Sequence, residues 1–282
     1  MKKRRTVDIL VISDVHLGTY GCRAKELHQY LRSIKPGMVV LNGDIIDIWQ
    51  FSKAYWPKSH MKVVKVLMGW ISNGIKTYYV TGNHDEMLRK FAGFKMPAFQ
   101  IVNKVVLDLP DQKKAWIFHG DVFDVTMQNS KWLAKLGAIG YDLLIIINSI
   151  ANFVSERIFK QGKLSLSKKI KNSVKSAVKF INDFESTSAE IGIMNGYDYV
   201  LCGHIHHPEI KTITSDSGSI IYMNSGDWVE NLSALEYTKG EWSIYRFNQD
   251  LDINTDADPD ETDLSHSELF DNMLKEFNFM KA

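Results

Sequence analysis

The stretch VDILVISDVH, residues 7–16, is a short apolar run rich in β-branched residues that ends on an aspartate and a histidine. A run of this length and composition reads as a buried strand of a parallel sheet. Polar residues directly after such a strand stand where open α/β sheets place their sites, beyond the carboxyl ends of the strands. The pattern recurs in MVVLNGD (38–44) and in KTYYVTGNHD (76–85). Between these strands the spacing predicts one helix over Ala24 to Ile34, stopped by Pro36-Gly37, and a second over about His60 to Ser72, before Asn73-Gly74. The first third therefore has the β-α-β rhythm of a parallel sheet.

Further along, VVLDL (105–109) and KAWIFHGD (114–121) read as a hairpin. From about Thr126 to Ile193 strand signals vanish and apolar residues recur at helical spacing, which predicts an insertion of two or three helices. Strands resume in YDYVLCGH, EIKTI, SIIYMNSG, ALEYT and EWSIYRF, between residues 197 and 247, and suggest a second, mostly antiparallel sheet packed on the first. The expected organisation is a main domain over 1–248 that contains the insertion, an acidic linker over 249–263, and an amphipathic helix over 264–282. That last helix opens on a Ser265/Glu268 capping pattern.

Composition narrows the class. A chain of 282 residues with 45% hydrophobic and 24% charged residues is an ordinary globular protein. A net charge of +1 gives no general pull toward nucleic acid. Cys22 and Cys202 form no disulfide framework and suit a reducing compartment. The basic N-terminus is not read as a signal peptide, because Asp8 interrupts the apolar run and no small-residue cleavage site follows. The longest apolar run, Leu143 to Val154, falls short of the roughly 20 residues of a membrane span and contains Asn148 and Asn152. The chain is expected not to be integral to a membrane.

Five short motifs follow apolar strands: Asp14-Val15-His16, Gly43-Asp44, Gly82-Asn83-His84-Asp85, His119-Gly120-Asp121 and Gly203-His204-Ile205-His206. Carboxylates and imidazoles together suit divalent manganese, iron or zinc, and there are too many of them for one tetrahedral ion. A shared carboxylate and two ions roughly 3.5–4 Å apart can clamp the attacking and leaving oxygens of a phosphoryl transfer. Each residue alone has an ordinary reading: Asp14 as a helix cap, His119 as a hydrogen-bonded core histidine, Asn83 as a turn residue, His204 and His206 as neighbours on one strand face. Those readings would all have to hold together, in order, each at a strand end.

In this order the motifs DxH, GD, GNHD, H and GHxH resemble those of the calcineurin-like metallophosphoesterases, over about the first 230 residues apart from the insertion. The resemblance implies an α+β fold, a four-layer αββα sandwich of two mixed β-sheets flanked by helices, here with a helical lid insertion. It implies that Asp14, His16 and His206 hold one metal ion, that Asn83, His119 and His204 hold the other, and that Asp44 bridges them. His84 would contact the substrate phosphate or protonate the leaving group, with Asp85 orienting it. The mechanism implied is direct attack by a metal-bound hydroxide.

Two features bear on the substrate. The insertion begins with a strongly apolar part around Trp132-Leu133, Leu143 to Ile147 and Phe153. It continues with Lys160, Lys163, Lys168, Lys169, Lys171, Lys175 and Lys179, with no acidic residue among them. That pairing suits an anionic lipid surface or a ligand with acyl chains and phosphates, Lys171 and Lys175 being candidate contacts; the plainer reading is a solvated basic face. With Ser225-Gly226-Asp227-Trp228, the chain resembles the UDP-2,3-diacylglucosamine pyrophosphohydrolase branch. That branch cleaves a lipid-linked nucleotide sugar to lipid X and UMP in lipid A biosynthesis, at the cytoplasmic face of the inner membrane, usually with manganese. One departure is His84, where the branch has arginine. The alternatives are a phosphodiesterase or phosphatase for a soluble phosphoester, and a metal-binding scaffold without activity. Nucleic acid is not an expected partner, given the charge and the apolar insertion.

Overall fold

The computed structural model of the chain describes residues 4–49, 55–123 and 166–248, with side chains given for the last range from residue 179 onward. The first sheet has the order β11-β10-β1-β2-β3-β4. Its strands are β1 (Arg5–Ile12), β2 (Ile34–Asn42), β3 (Lys76–Val80), β4 (Phe99–Val102), β10 (Ser233–Thr238) and β11 (Glu241–Arg246). β1 to β4 are parallel; β10 joins β1 antiparallel and carries β11 as a hairpin. The second sheet has the order β5-β6-β7-β9-β8. It comprises β5 (Lys104–Asp108), β6 (Lys114–Phe118), β7 (Tyr199–Cys202), β8 (Glu209–Ser215) and β9 (Gly218–Asn224).

Side chains alternate across each strand, and here both faces are covered. On β1, Leu10 and Ile12 turn toward α1 (Ala24–Ser33) and α2 (Lys58–Ser72), where Leu27, Leu31, Val63 and Trp70 complete one core. Ile9 and Val11 turn the other way and meet Ile117, Leu201 and Met223 of the second sheet. The outer face of that sheet, with Trp116, Phe118, Val200 and Tyr222, packs on Phe184 and Ala189 of α3 (Leu166–Met194). The layers are thus helix, sheet, sheet, helix. Burial on both faces explains why the strands read as unbroken apolar runs rather than alternating ones.

Three expectations change. α1 ends at Ser33, and Pro36-Gly37 lie inside β2 instead of stopping the helix. Pro36 pairs with Val7 of β1, but β3 joins β2 only from Met38 onward, so at Pro36 one side of β2 has no paired strand and a proline is tolerated. Gly37 is there for close approach: a Cβ would lie 2.9 Å from the Asp8 carbonyl oxygen. Second, ALEYT and EWSIYRF extend the first sheet, and the second sheet is mixed, with β6-β7 and β7-β9 parallel and hairpins at both edges. Third, β4 and the 3₁₀ turn Glu86–Phe91 had no counterpart in the periodicity. α3 provides helix over the end of the expected insertion. Residues 126–165, the 249–263 segment and the 264–282 segment lie outside the described residues, as do the side chains of Lys171 and Lys175 on α3. Among the described residues no helix is long and apolar enough to cross a membrane.

Candidate metal centre

The loops after β1, β2, β3, β6 and β7 meet at one edge of the two sheets. Backbone bonds lock the first two together: Asp14 N–H donates to Gly43 O at 3.1 Å and His16 N–H to Asp44 O at 2.9 Å. Gly203 N–H donates to His119 O at 2.9 Å and so ties the loops of the second sheet. Five site residues have left-handed backbone: Asp14, His16, Asp44, His204 and His206, with φ between 51° and 68°. Such backbone is uncommon away from glycine and costs of order 1–3 kcal/mol at each position, so it persists only where the surroundings enforce it. The glycines set the spacing. A Cβ on Gly82 would sit 2.2 Å from Asp44 Oδ1, and one on Gly203 would sit 2.6 Å from Asp14 Oδ2.

Three overlapping groups bring their donor atoms within 4.8 Å of one another: Asp14, His16 and His206; His16, Asp44 and His84; Asp44, His119 and His204. His206 Nε2 lies 3.1 Å from Asp14 Oδ1, and His119 Nε2 lies 3.1 Å from Asp44 Oδ2. Asn83 joins the last group through Oδ1, 3.3 Å from His119 Nε2. All seven residues expected to hold metal therefore converge, with Asp44 between the two ends.

The electrostatics fit divalent cations. His119 Nδ1 sits 2.9 Å from the Asn42 carbonyl oxygen, to which it can only donate. In the neutral ring Nε2 then presents a lone pair to two acceptors, Asp44 Oδ2 and Asn83 Oδ1, an arrangement that needs a proton or a cation between them. Burial opposes charge on Asp14, but His206 and His119 outweigh it and bring the carboxyl down to about 2. Asp44 is likewise held below its usual range, against burial, by His119 first and then His16 and His84. In turn burial lowers His206, yet Asp14 raises it to about 9. His119 ends well above its ordinary value, since Asp44 and Asp14 outweigh its burial. These imidazoles hold protons where a bound dication would displace them.

His84 and Asp85 part company in the structure. Asp85 does not orient the His84 ring. Its carboxylate is buried and accepts from Gly82 N–H at 2.6 Å, from Ile45 N–H at 3.1 Å and from the Tyr79 hydroxyl at 2.7 Å, so it clamps the β2 and β3 loops together. The partner of His84 is Asp47, whose Oδ2 lies 2.7 Å from His84 Nδ1 and 3.4 Å from His16 Nδ1. Burial pulls His84 down, but the Asp47 hydrogen bond and the neighbouring carboxylates leave its pKa raised. Asp47 was missed from sequence, although GDIID places it three residues after Asp44. The Asp44 carboxylate also accepts the His84 backbone N–H at 2.8 Å.

Ser225-Gly226-Asp227-Trp228 supports the centre from behind. Asp227 is fully buried and accepts the N–H groups of Val229 and Glu230 at 2.8 and 2.5 Å. Asn231, bound to the same carboxylate, donates to His206 O at 2.9 Å. Trp228 N–H donates to Asp14 O at 3.0 Å, and its ring stacks on Tyr30. Phe184 of α3 stands close behind Gly120 and His204, so the end of the insertion borders the site. Lys171 and Lys175 are not placed by any described contact.

A family model for calcineurin-like phosphoesterases matches residues 7–208. Curated relatives include UDP-2,3-diacylglucosamine hydrolase of Aliivibrio fischeri, 25% identical over 245 residues, covering 84% of this chain and 98% of that protein. The protein of that name from Stenotrophomonas maltophilia is 23% identical over 244 residues, covering 83% and 96%. A solved archaeal phosphodiesterase aligns over 84% of this chain and 98% of its own, at 13% identity and a TM-score of 0.42. The family match spans all five loops that build the centre, and the chain belongs to the calcineurin-like phosphoesterases, as a metal-dependent phosphoester hydrolase.

Proposed function

We propose that this chain hydrolyses the pyrophosphate bond of UDP-2,3-diacylglucosamine, releasing UMP and a diacylglucosamine 1-phosphate, with two manganese ions at the strand-end centre. The observation that carries the substrate is the match to a hydrolase of that name along 84% of the chain. On this reading Asp14, His16 and His206 hold one ion, Asn83, His119 and His204 the other, and Asp44 bridges. When bound, two such ions supply an activated water and offset charge on the phosphoryl oxygens. The chain's own part is to hold the donors in place. The Asn42 carbonyl fixes the tautomer of His119, and Trp228 and Asn231 fix the loops of Asp14 and His206. On the same reading His84, whose ring pairs with Asp47, would contact the phosphate or hand a proton to the leaving oxygen. Lys171 and Lys175 would meet the substrate phosphates or the headgroup layer, with the protein peripheral on the cytoplasmic face of the inner membrane.

The test is UMP release from detergent-dispersed UDP-2,3-diacylglucosamine with manganese, beside hydrolysis of bis(p-nitrophenyl) phosphate by the same preparation. The proposal expects kcat/KM to favour the lipid by an order of magnitude or more. Hydrolysis of the small diester without UMP release would sink the lipid substrate and leave a phosphodiesterase for a soluble ester.

A further inference from the structure

Away from the strand-end centre, a second set of ligand-type side chains gathers where α3 meets the start of β8. Glu185 of α3, His207 and Glu209, the first residue of β8, bring a donor atom each within 4.8 Å of one another. His207 follows the loop of His206, and Pro208, with its restricted φ, separates it from Glu209. The Glu185 side chain is only 3% exposed. Its Oε2 is taken by the Lys211 ammonium at 2.6 Å, but Oε1 is buried and accepts no hydrogen bond. Glu209 Oε2 is also buried, and the Lys211 ammonium pairs with it at 2.8 Å, so Glu185 Oε1 is the oxygen left without a partner. Leaving a charged oxygen buried and unsatisfied is costly.

Both oxygens face the same third atom. His207 Nδ1 lies 3.9 Å from Glu185 Oε1 and 3.7 Å from Glu209 Oε2. These separations are too long for hydrogen bonds. They are close to the spacing of donors around one shared ion, since bonds of about 2.0–2.2 Å in tetrahedral geometry hold ligand atoms about 3.3–3.6 Å apart. The charge balance agrees. Two carboxylates against one ammonium leave the group net negative when His207 is neutral, and carboxylate and imidazole are both ligand types that zinc accepts.

We propose that Glu185, His207 and Glu209 form a further divalent-metal site, separate from the phosphoesterase centre, that pins α3 to the start of β8. An ion there joins the last helix of the insertion region to the strand that follows the His204 and His206 loop. Lys211 competes with it for the same carboxylates, so this site is weaker than it would be without the ammonium.

The experiment compares bound zinc in the full-length wild-type chain, in His207→Ala and in Lys211→Met. Each is dialysed against a series of buffered free zinc concentrations and measured by elemental analysis. The expected result is one zinc ion more per chain in wild type than in His207→Ala. In Lys211→Met that last ion should half-saturate at several-fold lower free zinc. Since His207 adjoins His206 of the strand-end centre, the Lys211→Met arm is the one that separates the two sites, because that ammonium pairs with Glu185 and Glu209. Equal zinc content in wild type and His207→Ala overturns the proposal, as does unchanged or weaker affinity in Lys211→Met. Should His207→Ala fail to fold, Glu209→Gln makes the same comparison, and equal content there is equally contradictory.

Discussion

Asp44 touches every part of the centre: His119 through one carboxylate oxygen, the His84 backbone through the other, and the His16 loop through its own carbonyl. Replacing it with alanine should release metal and abolish turnover while leaving the fold, which rests on the three apolar cores. Elemental analysis and circular dichroism check this together, and an Asp44→Ala protein that retains two ions contradicts the bridging role. His84→Ala should keep its metal and lose about 10²–10⁴ in kcat. Asp47→Asn should lose about 10–100-fold, the usual effect of removing an orienting partner. A normal rate in Asp47→Asn would show that the 2.7 Å contact to His84 does not serve the reaction. His84→Arg introduces the residue that the resemblance to the UDP-2,3-diacylglucosamine pyrophosphohydrolases leads one to expect there, and retained pyrophosphohydrolase activity in it would support the proposed substrate.

At the scale of elements, α2 reaches into the centre's support through His60. Its buried Nδ1 accepts the Gly18 N–H at 3.0 Å, on the loop that carries His16. Burial lowers the His60 pKa to about 4, against an ordinary value near 6.5. The fold therefore keeps the neutral ring, and protons bind the unfolded chain first as pH falls. The stability this contributes is complete above about pH 6.5, declines between about 6.5 and 4, and is absent below. Its limit is on the order of 3 kcal/mol. His60→Gln should flatten that part of a plot of urea midpoint against pH, and an unchanged slope refutes the account. In β2, Gly37→Ala should cost about 1–3 kcal/mol by pushing the Asp8 carbonyl of β1 away from β2. Urea unfolding measures it, and a change under 0.5 kcal/mol would show the strands give way freely. These elements also mark how far the sequence could be read. Strand ends announced the ligands because an apolar run that stops on Gly-Asp or Gly-His carries both fold and chemistry locally. Pro36 misled because proline is tolerated wherever one ladder edge is unpaired, a fact of sheet order and not of local sequence. The sheet chosen by β10 and β11 was equally hidden, since alternation does not name a partner strand. Asp47 escaped because only the folded β2 loop brings it to His84.

Over the whole molecule, two sheets covered by helices present one edge of loops, and α3 closes behind it with Phe184 against the His204 side. The insertion that leads into α3 is where the lipid reading becomes testable. Each lysine near an anionic surface contributes roughly 1 kcal/mol, weakened by salt. Lys171→Ala combined with Lys175→Ala should therefore raise KM for the lipid, or weaken vesicle binding, by about fivefold for each charge removed. Hydrolysis of a small diester should stay nearly constant. Equal loss on both substrates would assign the lysines to the centre itself, and no loss on either would make them a solvated basic face. The claim beneath all of this is that the strand-end residues work through bound metal. It is tested most directly by the rate of bis(p-nitrophenyl) phosphate hydrolysis as manganese is returned to metal-stripped protein, with Asp44→Ala alongside. The account predicts no turnover in the stripped wild type, full recovery as manganese rises, and none in Asp44→Ala. Undiminished hydrolysis by stripped protein, or recovery in Asp44→Ala equal to wild type, would contradict it.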